Sequence, residues 1–241
     1  MSVGRHDGRT FDVSLTRKDP RSRGYSVRSL VAEAPTRAVW WTGGVVTDQG
    51  QEGQCVGHAV TGEFLASPVR GKLPRVNPTD AANSLATSVF LRARQLDPWP
   101  GENYEGTAVN AGMKVGRERG WWDSYHWAFG IDDVKRALLL GPVVIGVEWR
   151  SEMYGTDADG MVKVEGDVVG GHALLVTGWT PAYGRRGEVF RWRNSWGPGY
   201  GRASSPGNGY VRAADFRRLL DADGEAAVPT GRHLGKLAVA A

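Results

Sequence analysis

The chain has 241 residues and a formal net charge of +4, with 41% of its residues hydrophobic and 23% charged. That is the composition of an ordinary soluble globular protein, long enough for one large domain or two small lobes sharing a cleft. The charge is too modest for this length to mark a nucleic-acid partner, and the longest apolar runs, such as Pro142–Val147, are far too short for a membrane span.

The first 38 residues are rich in Arg, Ser, Asp and Pro, with short apolar alternation at Phe11–Leu15 and Tyr25–Val31. They read as an arm (1–38) lying against the body. Their polar, basic start lacks the apolar stretch of a secretory signal. Trp40 and Trp41 lead into a turn-rich stretch, Thr42–Gln54, containing Gly43, Gly44, Gly50 and Gly53. The segment CVGHAVTGEFLAS then sets Val56, Ala59, Val60, Phe64 and Leu65 at helical spacing and is stopped by Pro68. Gly57 and Gly62 weaken its own preference, so packing has to hold this helix. Thr79–Leu96 reads as a second helix, capped by Thr79 or Asp80 and closed by Asp97-Pro98. Gly106–Arg119 reads as a third, and Ile131–Leu140, acidic in its first turn, as a fourth.

From Pro142 the period changes. VVIGVEW, MVKVEGD, HALLVTGW, EVFRWRN and GYVRAA are short β-branched or aromatic runs parted by Gly, Pro and Asp. Helices first and strands afterwards predict an α+β protein, with a helical lobe over 39–131 and a β lobe over 132–221. Beyond Asp221 the sequence predicts a weakly structured tail (222–241) with a short apolar end at Leu237–Ala241.

The single cysteine, Cys55, rules out an intramolecular disulfide and suits a reducing, cytoplasmic setting. It stands where a glycine-rich loop meets a helix, so its sulfur lies near unsatisfied N–H groups that favour a thiolate. A lone cysteine is equally a small buried hydrophobe, and position alone does not choose. A thiolate nucleophile needs a base that also protonates the leaving amine. His6 and His233 lie in the ends of the chain, His126 in an aromatic cluster. His58 shares one rigid helix with Cys55 and reads as a packing residue. His172 follows Gly170-Gly171 at the head of an apolar strand. Asn194, in WRNSWGPGYG, supplies a neutral amide able to hold the far ring nitrogen of a histidine, and Trp196 can shield that bond.

DQGQEGQCVGHA, GGHALLVTGW and RNSWGPGYG, in the order Cys, His, Asn, together resemble the signature blocks of the papain-like cysteine peptidases over about residues 39–215. The resemblance implies a two-lobed fold, a helical lobe and an antiparallel β-barrel-like lobe with the active site in the cleft between them. It implies Cys55 as nucleophile, His172 as acid/base, Asn194 as its orienting partner and Gln49 as side-chain donor to the oxyanion. It further implies Trp196 as cover of the Asn–His pair, Gly106 and Thr107 near the substrate-backbone platform, and Gly146 and Ala173 near the main specificity pocket. The substrate would be a protein or peptide, and no cofactor is needed. Departures are Glu52 in place of the family's second cysteine, Val56 in place of the aromatic after the nucleophile, and no long inhibitory propeptide. These look like a prokaryotic or phage-type intracellular member, with a virion-associated setting if phage-encoded. The rival readings are an amidase, transpeptidase or deconjugating enzyme using the same residues, and a silent peptide-binding module. GTDADG (155–160) reads as a plain turn, and no metal-ligand spacing is present.

Overall fold

The computed structural model describes residues 4–6, 9–11, 24–72, 77–97 and 105–233. Helix α1 (Cys55–Leu65) is buried along its whole length. It is wedged between α2 (Pro78–Leu96), α3 (Val109–Glu118) and a sheet. A Cβ at Gly57 would stand 2.3 Å from the Ala86 carbonyl oxygen, so α1 and α2 approach at a distance only glycine permits. Across the helix, a Cβ at Gly112 of α3 would lie 2.5 Å from Val56. Of the two glycines that weaken α1 as an isolated helix, Gly57 is the one that lets a neighbour close on it.

The cap of α2 is Asn77, whose side chain accepts from the Thr79 N–H at 3.1 Å, with Pro78 in the first turn. Thr79 and Asp80 are therefore helical residues and not caps. Asp97 ends the helix; Pro98 lies outside the described residues. Asp97 also explains why α3 starts three residues later than its sequence suggests. Its carboxylate accepts from the Thr107 hydroxyl at 2.8 Å and the Ala108 N–H at 3.2 Å, which holds 106–108 as a connector. Helix α4 spans Ile131–Leu138. Its buried Asp133 accepts from Arg136 at 3.0 Å, from the Phe129 N–H at 3.1 Å and from Arg28 at 2.7 Å, fastening the arm to the body. Farther toward the N-terminus, β1 (Gly4–His6) and β2 (Arg9–Phe11) form an antiparallel ribbon. Residues 12–15 of the first apolar alternation lie outside the described residues.

Seven strands make one antiparallel sheet: β3 (Val39–Trp40), β4 (Trp122–Trp127), β5 (Val143–Arg150), β6 (Val168–Thr180), β7 (Val189–Arg193), β8 (Asn208–Arg212) and β9 (Glu225–Arg232). The order is β4-β9-β5-β6-β7-β8, with β3 also paired to β6, so the sheet is open and ends on β4 and β8. Three segments differ from their sequence reading. Residues 161–167 form no strand beyond a single bridge from Met161 to Tyr210; Val162 and Val164 enter the core from a loop. The run GYVRAA divides at Arg212, where β8 ends and helix α5 (Ala213–Asp221) begins, burying Phe216, Leu219 and Leu220. The expected tail contains β9, inserted between β4 and β5. Its buried residues include Ala226, Ala227 and Val228, small side chains that leave a weak hydrophobic signal. Pro229 is tolerated because there β9 pairs with β4 alone. The apolar end at Leu237–Ala241 lies outside the described residues.

Strand β6 is enclosed on both faces. Leu174 and Val176 enter a core with α4 and α5, whereas Ala173 and Leu175 enter the core around α1. Chain end and helical layer are tied by a buried ion pair: Arg232 of β9 donates to Glu63 of α1 at 2.6 Å and to the Leu140 carbonyl at 2.9 Å. Burial pushes the Glu63 carboxyl upward, and Arg232 opposes it. Arg232→Met should cost about 3–5 kcal/mol, because it strands a buried carboxylate, whereas Glu63→Met combined with Arg232→Met should cost far less. Urea unfolding of the single and double variants decides it; equal losses would show that the charge pairing is not what the arginine contributes.

Candidate active site

The loop Thr42–Gln54 delivers the chain to α1 with Cys55 as its first helical residue, and no side chain caps the helix. Gln54 turns instead to α2, where its side-chain oxygen accepts from the Thr87 hydroxyl at 2.8 Å. The N-terminus of the helix, with the positive end of its dipole, thus lies at the residue that bears the sulfur. Gly53 rests on the chain at 105–106: a Cβ there would meet the Glu105 carbonyl oxygen at 3.2 Å. Gly106 accordingly lies beside the nucleophile loop. Thr107 is fully buried, with its hydroxyl on Asp97.

His172 is set by sheet register. It sits opposite Val147 of β5, and on the other flank Leu175 pairs with Arg193, the last residue of β7. The next residue, Asn194, meets the ring: His172 Nε2 and Asn194 Oδ1 are 2.8 Å apart in a buried bond. The same oxygen accepts the Ser195 N–H at 2.8 Å. That second bond identifies the amide oxygen, so Nε2 carries the hydrogen and Nδ1 is the nitrogen available for proton exchange. The Trp196 ring lies 5.0 Å from the imidazole at 33°, over the Asn–His pair.

Gln49 belongs to the helical side yet is held by the β side. Its N–H donates to the Ser195 carbonyl at 2.8 Å, and its Oε1 accepts from the Ser195 hydroxyl at 2.6 Å. Its Nε2 donates to the Glu52 carbonyl at 2.6 Å, which leaves the second amide hydrogen to be directed elsewhere. Gly146 and Ala173 are direct cross-strand partners, and Ala173 shares a core with Cys55. Cys55 and His172 have no exposed surface.

The other histidines have other surroundings. His233 pairs with Asp123 at 2.7 Å, His126 is half-buried on β4, and His6 lies in β1. His58 is buried on α1, its Nδ1 without a hydrogen-bond partner. In the 155–160 turn, Asp157 accepts two backbone N–H groups, and Asp157 and Asp159 both pair with Arg186. Ser195 and Trp149 (below) escaped the sequence reading. Ser195 looked like ordinary turn chemistry beside Asn194, and its contact with Gln49 spans 146 residues.

A helical layer carrying Cys55, packed on an antiparallel sheet carrying His172 and Asn194, is the fold of the papain-like cysteine proteases. The structure superposes on xylellain, a cysteine protease from Xylella fastidiosa, with TM-score 0.65 and 18% identity, covering 97% of this chain and 100% of that one. It superposes also on digestive procathepsin L 3 of Tenebrio molitor larval midgut, with TM-score 0.58 and 16% identity, over 91% of this chain and 75% of that one. The recombinant stem bromelain precursor aligns with TM-score 0.54 and 12% identity, over 92% of this chain and 78% of that one. No protein-family model and no curated protein sequence matches the chain. Among the described residues no helix is long and apolar enough to cross a membrane.

Burial lowers the His58 pKa from 6.5 to about 4, with Asp48 opposing the shift. A folded-state value below the unfolded one means that the unfolded chain takes up the proton first. His58 therefore contributes full stability above about pH 6.5 and loses it as pH falls toward 4, in total about 3 kcal/mol. His58→Leu should flatten this part of the acid limb when urea unfolding is compared at pH 7.5, 5.5 and 4.5. Parallel pH profiles for the two proteins would contradict the assignment.

Proposed function

We propose that the chain is a cysteine peptidase that cleaves peptide bonds through a thioester acyl-enzyme. The Cys55 thiolate attacks the substrate carbonyl, forming the S–C bond of a tetrahedral intermediate. Its oxyanion is met by the Cys55 backbone N–H and the Gln49 amide. His172 gives its proton to the departing amine as the C–N bond breaks. It then takes a proton from the water that attacks the thioester, releasing the acid and the thiol. Asn194 keeps the imidazole in the Nε2–H form, and Trp196 covers their bond. Gly106 and Thr107 would border the substrate backbone, and Gly146 with Ala173 would floor the pocket for a substrate side chain. The observation that carries this reading is the buried His172–Asn194 bond, whose histidine lies on β6, the strand that packs against the helix, α1, whose first residue is the sole cysteine. With one cysteine and no disulfide, the catalytic thiol would be maintained by reducing surroundings.

A peptide-library digest tests the substrate class. Cleavage products from the wild type and none from Cys55→Ala, with unchanged thermal unfolding, are expected. A library left intact by a protein whose Cys55 still reacts with haloacetamide would point to an amidase or transferase instead. Gln49→Ala should lower kcat about 10²-fold and leave haloacetamide alkylation of Cys55 nearly unchanged, because the oxyanion exists only on the acyl-transfer path. Asn194→Ala should slow both. A raised KM with kcat preserved in Gln49→Ala would make Gln49 a binding-loop residue.

A further inference from the structure

The surroundings of His172 contain a second indole to which the peptidase reading assigns nothing. Trp149, on β5, has no exposed surface, and its ring lies 4.8 Å from the His172 ring at 68°. It is also 5.2 Å from Trp196 at 81°. Trp196 is backed by Tyr154, stacked at 5.8 Å, and by Tyr200, edge-on at 5.4 Å. The imidazole and the two indoles therefore form a three-ring cluster, with Trp196 tilted against the imidazole and Trp149 across it.

The register explains how Trp149 reaches the ring. Its direct partner on β6 is Gly170, and His172 is the partner of Val147. Trp149 and His172 are thus diagonal neighbours on one face, a separation that an aromatic side chain spans. Because the residue facing Trp149 has no side chain, the indole can lean along the ladder onto the histidine. The glycine before the Gly171-His172 step makes room for a side chain of the neighbouring strand.

We propose that Trp149 is a positioning residue for the Cys55–His172 pair: its indole, packed across the imidazole beside Trp196, fixes the plane of the His172 ring, so that the imidazolium forms against a dry aromatic wall. Both ring centres are within about 6 Å, the range in which a cation held over an indole face is attracted, and a site without water strengthens that attraction. The groups that could blur this effect are accounted for. Tyr200 is buried, which raises its pKa well above the ordinary value and keeps it neutral. Glu148, the neighbour of Trp149, points to the opposite face and pairs with Arg150 at 3.1 Å. Arg193, beside Asn194, is lowered by burial to about 10 and donates to Asn208 at 3.0 Å. Asp48 meets Trp196 in a β-bridge, and its charge bears on His58.

This inference rests on the peptidase reading, and the rate of Cys55 alkylation by iodoacetate, an anion drawn in by the imidazolium charge, measured from pH 4 to 10, separates the two. The wild type should give a bell. Its acid limb reports formation of the thiolate–imidazolium pair, and its alkaline limb reports loss of the imidazolium proton. A wild type without a bell removes the peptidase reading itself. Trp149→Met keeps an apolar side chain but no ring, and should narrow the bell from both sides. The acid limb moves up and the alkaline limb down, each by about tenfold in rate at a fixed pH on the limb, the size of one desolvated cation–π contact. Trp149→Phe should move both limbs the same way by about threefold. Limbs that stay in place while only the plateau or the melting temperature falls would reduce Trp149 to a packing residue and overturn the proposal. If Trp149→Met does not fold, the Trp149→Phe profile carries the same decision, with unmoved limbs again overturning it.

Discussion

Everything in this molecule is hung on strand β6, which is buried on both faces and paired along both edges. A strand in that position has no freedom of register, because a slip of one residue would exchange the contents of two cores. Leu174 and Val176 fill one core, Ala173 and Leu175 the other. His172 precedes them on the same alternation, so the position of its ring follows from how the hydrophobic residues pack. The constraint extends sideways: β7 fixes where Asn194 emerges, and β5 fixes which indole packs across the ring.

The second joint lies between the two halves of the site. Ser195 continues the turn that presents Asn194, and it holds Gln49 through both its backbone carbonyl and its hydroxyl. The loop before the nucleophile and the loop after β7 therefore share one hydrogen-bonded seam, reinforced by a β-bridge from Asp48 to Trp196. Buried arginines continue it. Arg191 donates to the Trp41 carbonyl at 2.6 Å, and Arg193 to the Gly44 carbonyl at 3.4 Å, which ties the entry to the nucleophile loop to the same strand, β7. Burial holds both guanidinium pKa values below their ordinary level, yet each keeps polar partners in place of water.

The residues of the candidate site were legible because each sits in a locally distinctive context: Cys55 between glycine-rich loop and helix, His172 after two glycines, Asn194 before a Trp and a glycine-rich turn. The four first helices were legible from their apolar spacing, and the strands after Pro142 from β-branched runs. What stayed hidden depends on partners distant in sequence. Strand β9 carries small residues, a proline and a glycine, and becomes a strand because β4 and β5 stand ready on either side of it. The amphipathic spacing of Phe216, Leu219 and Leu220 in α5 was present but merged with the end of a strand-like run. Val162 and Val164 alternate like a strand yet pair with nothing beyond the Met161 bridge, since core burial does not require a ladder. Trp149 reads as an ordinary core aromatic until the register sets a glycine in front of it.

The ion pair beneath α1 has a consequence for the order in which the protein comes into being. Glu63 belongs to the helix that starts at Cys55, but the cation that makes its burial tolerable is 169 residues further along the chain. A ribosome releases Glu63 well before Arg232. Until then the sheet also lacks β9, so the slot between β4 and β5 is empty and the helix has no finished surface to settle on. The thiol is thus made early and seated late: a nascent or truncated chain carries the cysteine without the platform that would aim it.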